Sequence, residues 1–331
     1  MVKVSTGLPN CREGRQNLVG TVTPEGIRRV ARLADHLGYY SLWPNEFITT
    51  RPDVSARYPA PPMLLDVLVT MAYALAETEH IRVTPSTIVL PYHEPIVLSR
   101  ELATLDVFSG GRVTLGIGLG GELEEFQRTL GTIKKPNRGQ MMDEFVQSLR
   151  VLWEDRQATF HGRYVSFDDL ETYPKPIQQP LPVFMAGHAD GVFRRLAAHG
   201  QGWIDSNLSP EDMATNAARL RDYAAEAGRG DVQFEIARQF YVSIGETEDE
   251  ARANATAAMP APRRETAPRA GSAGGRGGAS SLVGSPDQIL EQLQPYIAAG
   301  ATEICAIFVY ADDDAAERQL RLFASEVMPR L

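Results

Sequence analysis

Two acids, Glu46 and Glu122, and one short run, Ala186-Gly187-His188-Ala189-Asp190, stand just after strand-like stretches of the chain. A carboxyl group in a closed mouth can carry a proton to or from a reacting atom. The 186–190 run lies where a strand gives way to a helix, so free backbone N–H groups and the positive end of the helix dipole converge there. That arrangement suits a phosphate. Its competing reading is an ordinary N-cap at Asp190 beside an exposed His188. Gly116-x-Gly118-x-x-Gly121 has the spacing of a dinucleotide fingerprint. The acid expected about 20 residues later at a second strand end is missing, because Glu144 falls inside a helical segment. These glycines therefore read either as a turn needing positive φ or as a cofactor wall. Glu122 reads either as a helix N-terminal acid or as a proton donor at a mouth.

Other chemistries lack their residues. All six histidines (His36, His80, His93, His161, His188 and His199) are dispersed, without the i, i+4 spacing of a metal-binding helix. No G-x-S-x-G is present for Ser-His-Asp hydrolysis. Only four of the 33 basic residues are lysine (Lys3, Lys134, Lys135 and Lys175), and none ends an apolar strand-like run, which disfavours Schiff-base chemistry. The two cysteines, Cys11 and Cys305, form no metal or disulfide pattern, as expected of a cytoplasmic protein. A net charge of −9 opposes nucleic-acid binding. No stretch approaches the roughly 18 uninterrupted apolar residues of a membrane span. With 43% hydrophobic residues, 12 Phe, 11 Tyr and 3 Trp, the 331-residue chain can fill a large core.

The elements that position these residues alternate. Strands are predicted at 2–8, 39–43, 81–90, 112–117, 182–186, 202–205, 232–244 and 303–309, the third continuous enough to be buried on both faces. Helices are predicted at 23–37, 63–76, 96–107, 124–130, 141–153, 191–198 and 210–227. Three more follow capping box Thr247-x-x-Glu250, capping box Ser285-x-x-Gln288 and residue 315. Residues 156–181 read as an excursion with a hairpin. Residues 260–281 form a Gly/Ala/Pro/Arg-rich flexible loop, either merely mobile or a basic lid for an anionic ligand. Eight β/α units favour a single α/β domain over 1–331, a (β/α)8 TIM barrel with insertions. The site then lies just after the strands, at Asn10 and Cys11, 45–47, 91–93, 118–122, 187–190, 206–207 and Tyr310.

Several ordered segments resemble the bacterial luciferase-like monooxygenase superfamily across nearly the whole chain. They are Ala103–Arg112, Leu115–Gly120, Glu124–Phe126, Arg138-Gly139 with Asp143-Glu144, Leu152-Trp153, Pro174-x-Pro176-x-Gln178, Gly187, Gly202-Trp203 and Val283–Pro286. The resemblance implies a barrel that binds reduced FMN or coenzyme F420 at its mouth and works as an oxidoreductase. Ser86-Thr87 matches the position of a cis peptide behind the isoalloxazine, and Gly187, His188 and Ala189 match the phosphate loop, with Ala186 replacing a common glycine. Gly118 and Arg138 complete the implied cofactor contacts, and Glu46 and Glu122 are the implied catalytic acids. Where the family often has an acid followed by histidine, Glu46 is followed by Phe47; Gly121 displaces Glu122 by one position from the sugar-dehydrogenase pattern. Arg138-Gly139 looks more like the F420 branch. The resemblance thus implies F420-dependent hydride transfer to or from a small organic substrate. Alternatives are an FMNH2-dependent monooxygenase using O2, with a separate reductase supplying the reduced cofactor, and a non-catalytic flavin-binding barrel. A homodimer or higher homo-oligomer is expected, with no nucleic-acid or membrane partner.

Overall fold

In a computed structural model, residues 1–13, 17–50, 55–56, 58, 60–120, 137–258 and 281–331 are described. The expected helix at 124–130, Glu122, Gly121 and the arginine-rich stretch at 260–280 lie outside them.

The strands are β1 (Lys3–Gly7), β2 (Ser41–Trp43), β3 (Arg82–Val83), β4 (Ile88–Val89), β5 (Leu115–Gly118), the hairpin β6 (Ala158–His161) and β7 (Ser166–Leu170), β8 (Val183–Ala186), β9 (Gly202–Asp205), β10 (Glu235–Ile244), β11 (Ser281–Gly284) and β12 (Glu303–Phe308). Between them run α1 (Pro24–His36), α2 (Val67–Ala76), α3 (Pro95–Ser109), α4 (Arg138–Glu154), α5 (Asp190–His199), α6 (Pro210–Glu226), α7 (Glu248–Ala258), α8 (Pro286–Ala298) and α9 (Asp313–Glu326). Apart from the antiparallel hairpin, every pairing among the described residues is parallel, in the order β3-β2-β1-β12-β10-β9-β8-β5-β4, with β11 beside β10. The two ends of this order, β3 and β4, belong to one run of chain, so the sheet curls round to meet itself. A bridge between Val83 and Val113 helps close the ring. This is the expected TIM-barrel architecture.

Alternation of side chains explains how the ring is filled. Trp43, Phe184, Ile204, Ala237, Cys305 and Ile307 pack together inside, while the other strand face meets the helices in the main core. Gly202 makes room for the Phe184 ring, which would lie 2.5 Å from an added Cβ. Near the N-terminal end of the strands, buried Glu303 accepts from Trp43 Nε1 at 3.1 Å and from Ser5. Outside the ring, Arg238 and Asp205 form a fully buried ion pair at 3.2 Å.

Local signals set most helix ends. Thr23 caps α1 through Gly26 N, and Ser285 forms a full capping box with Gln288. At α7 the Thr247 hydroxyl accepts from Glu250 N, but the Glu250 carboxylate takes Glu246 N, so the expected reciprocal box is incomplete. The helix expected from 63 begins at Val67, because Asp66 caps Val69 N.

The third strand departs most from expectation. Instead of running continuously over 81–90 it is two short pieces around a cis Ser86–Thr87 peptide bond. Pro85, which has no N–H for a ladder, pushes its carbonyl so close to β5 that a Cβ on Gly116 would sit 1.9 Å from it. The excursion holds the predicted hairpin, and β11 was not expected at all.

Candidate active site

The broken third strand is fastened by side chains where ladder bonds are missing. Asn45, two residues beyond β2, donates from Nδ2 to the Ser86 carbonyl at 2.6 Å. Asn10 in turn holds Asn45, accepting from its backbone N at 2.9 Å and donating to its carbonyl at 2.8 Å. Ser86 N donates to Pro44 O at 2.8 Å, and the Ser86 hydroxyl reaches across to Gln239 Oε1 at 2.8 Å. Opposite lies the glycine pair of β5, where an added Cβ on Gly118 would meet Thr87 Oγ1 at 2.6 Å. Gly116 and Gly118 are therefore small to admit the neighbouring segment. Gly120 has φ +75° and is the turn residue of the described glycines in this run. Arg138, at the start of α4, donates from Nη1 to the Leu119 and Gly120 carbonyls at 3.0 and 3.1 Å, tying down that loop.

Glu46 follows the same β2 end and is nearly buried. Its Oε2 accepts from Val89 N at 2.5 Å, and its Oε1 faces His93 Nε2 at 2.8 Å. Burial alone would depress the His93 imidazole, but the hydrogen bond and charge of Glu46, helped by Asp66 and Glu101, outweigh it and hold His93 above its ordinary value. An acid–imidazole pair at a strand's C-terminal end can move a proton. Sequence reasoning placed His93 among the residues after the third strand without giving it a role. The available signal was a lone histidine just past a strand, while its partner 47 positions earlier was out of view.

The 186–190 run forms the bend before α5. Gly187 has φ +117°, and its carbonyl accepts from Trp203 Nε1 at 2.8 Å. The N-cap is Ala189, not Asp190, and no side chain caps the helix. Asp190 instead turns its carboxylate to Arg219 and to the Tyr223 hydroxyl. The first amides of α5 are thus left for a ligand or water, beside exposed His188 and Ala189. An added Cβ on Gly191 would meet nothing, so the approach is open.

Among the described residues no cluster of three or more His, Cys, Asp or Glu could hold a metal, and no helix is long and apolar enough to cross a membrane.

Known proteins agree with this layout. Residues 7–303 match the family model described as luciferase-like monooxygenase. The chain is 32% identical over 168 residues to an uncharacterised Mycobacterium tuberculosis protein, covering half of this chain and 58% of that one. It is 28% identical to the FMNH2-dependent dimethylsulfone monooxygenase of Pseudomonas putida, over 68% of this chain and 60% of the relative. Against the F420-dependent glucose-6-phosphate dehydrogenase of Kineococcus radiotolerans identity is 25% over 93% of both chains. The fold superposes on the coenzyme F420-dependent tetrahydromethanopterin reductase of Methanopyrus kandleri with a TM-score of 0.75 at 19% identity, over 99% of both chains. It also superposes on the long-chain alkane monooxygenase LadA, with a TM-score of 0.79 at 15% identity over 99% of this chain and 91% of that one. With its barrel closed at a broken third strand and nine-tenths of its length matched, the chain belongs to the luciferase-like monooxygenase family of oxidoreductases.

Proposed function

We propose that the protein is a coenzyme F420-dependent oxidoreductase acting on a small organic substrate, with 1–331 working as one barrel domain. The coenzyme, when bound, supplies or accepts the hydride. Glu46 and His93 handle the accompanying proton, and Glu122 is a further candidate donor. Ser86, Thr87 and Gly118 form the wall for the flat ring, and Arg138 braces the adjoining loop. Ala186, Gly187, His188 and Ala189, with the uncapped amides of α5, hold the phosphate. The observation that best supports this reading is the Glu46–His93 pair, an acid–imidazole pair tied to Val89 N just past the Ser86–Thr87 segment. It also offers an imidazole where Phe47 does not, which favours an enzyme over a non-catalytic barrel. Arg138-Gly139 and the F420-dependent relative matched over 93% of its length support F420 over FMN.

The deciding experiment titrates the purified protein anaerobically with F420 and with FMN, each oxidised and reduced, and follows absorbance. Saturable F420 binding is expected; binding of neither would sink the reading. The dimethylsulfone monooxygenase relative favours an FMNH2-dependent monooxygenase as second reading, fed by a separate reductase. Incorporation of 18O from labelled O2 into product would select it. We also infer a homo-oligomer, because α2 is apolar around its whole circumference and leaves Val69 exposed, and α3 exposes Val97 and Phe108.

A further inference from the structure

Arg12 is 3% exposed, although it lies in the loop just past β1. Its Nε donates to the Leu8 carbonyl at 2.9 Å. Among the described residues, fully buried Nη2 has no hydrogen-bond partner and no carboxylate forms an ion pair with Arg12. Glu13, the adjacent acid, is occupied by the Gly20, Val22 and Met63 amides. The guanidinium's position is fixed by Gly7, the last residue of β1. A Cβ there would lie 2.9 Å from Arg12 Nη2 and 3.0 Å from Ile307 Cγ1. Ile307 belongs to the barrel interior and stands near the C-terminal end of β12. The absent side chain of Gly7 thus admits a guanidinium into the upper interior of the ring, at the end where the proposed site lies. Its charge is felt by the buried Cys305 thiol, which burial pushes up and Arg12 pulls the other way.

A buried cation without a counter-charge is costly, and a guanidinium presents paired N–H donors matched to two oxygens of one oxyanion. We propose that Arg12 anchors an oxyanion of the substrate, a carboxylate or sulfonate, at the inner wall of the barrel mouth. This deepens the reading above, since it names the substrate class of that same site. Discrimination follows from the same arrangement. A neutral isostere leaves the buried charge uncompensated, so it is rejected more strongly than its shape alone would require.

The test is calorimetric titration of the wild-type protein with propionate and propane-1-sulfonate against neutral propionamide, with and without F420, repeated on Arg12→Met and Arg12→Lys. Both anions are expected to bind the wild type at least tenfold more tightly than the amide. Arg12→Met should lose at least tenfold in anion affinity with F420 binding unchanged, and Arg12→Lys should fall between. Equal binding of anion and amide by the wild type overturns the proposal, and that comparison decides even if Arg12→Met fails to fold. Undiminished anion binding by a folded Arg12→Met overturns it too. Anion binding at Arg12 without any F420 binding would uphold the anchor while sinking the coenzyme reading.

Discussion

Glu46 and His93 come from the ends of two different strands, and each orders the other. Val89 N fixes one carboxylate oxygen, which leaves the other to meet the imidazole. Substituting Glu46→Gln should lower turnover about 10²- to 10⁴-fold, the usual range for a lost general acid–base group. F420 affinity should change little, as single-turnover rates beside absorbance titrations would reveal. His93→Gln should also flatten the limb of the pH–rate profile that reports the imidazole. Stability gives an independent check with a definite sign. The folded value of His93 is raised, so its stabilisation is fully present below about pH 6.5 and fades as pH rises through the folded value. Thermal unfolding of His93→Gln should therefore differ most from wild type near pH 6 and least near pH 9.

At the scale of elements, the β5 glycines and the start of α5 can be tested separately. Gly116→Ala sets a Cβ against a backbone carbonyl, whereas Gly118→Ala meets only the movable Thr87 hydroxyl. The first should destabilise by about 1–3 kcal/mol or more and the second by less, measured by denaturant unfolding. At α5, Ala189→Asp should add a cap worth about 0.5–2 kcal/mol while setting a negative charge where the anion would sit. A higher melting temperature combined with weaker F420 binding is the expected pair of outcomes. Most elements were legible in the sequence because their signals are local, such as Thr23 and Ser285 at helix starts and Gly38 and Gly300 at ends. The break in the third strand was signalled only by the resemblance, through the cis peptide it implies at Ser86-Thr87. Its β-rich residues 81–90 read as one continuous strand, and the approach of Pro85 to Gly116 on another strand shows why the ladder stops. Distance along the chain likewise hid His93 behind Glu46 and gave no reason to expect the Arg12 guanidinium inside the barrel. The bend before α5 was readable, but its cap was not, because Asp190 is drawn away by Arg219 and Tyr223 on α6.

For the molecule as a whole, Glu303 links β1, β2 and β12 inside the ring. Burial pushes its carboxyl up to about 7, against the opposing pull of Ser5, Lys3 and Trp43. Between the ordinary carboxyl value and that point the unfolded chain is ionised while the folded one keeps its proton. Stability attributable to this group therefore falls as pH rises across the window, by an amount on the order of 3 kcal/mol. Glu303→Gln should unfold several degrees higher than wild type at pH 8 and nearly with it at pH 5, by calorimetry. The barrel's closure has a mechanical counterpart. β1 joins β2, β2 joins β3, and β4 joins β5 through two residue pairs each, whereas β10 and β12 share six. A hoop yields where its joints are thin, and here the thin joints run from β1 to β5 along the proposed pocket. A ligand lying across them acts as a rivet, slowing the rate at which the ring springs open as well as shifting the balance between closed and open forms.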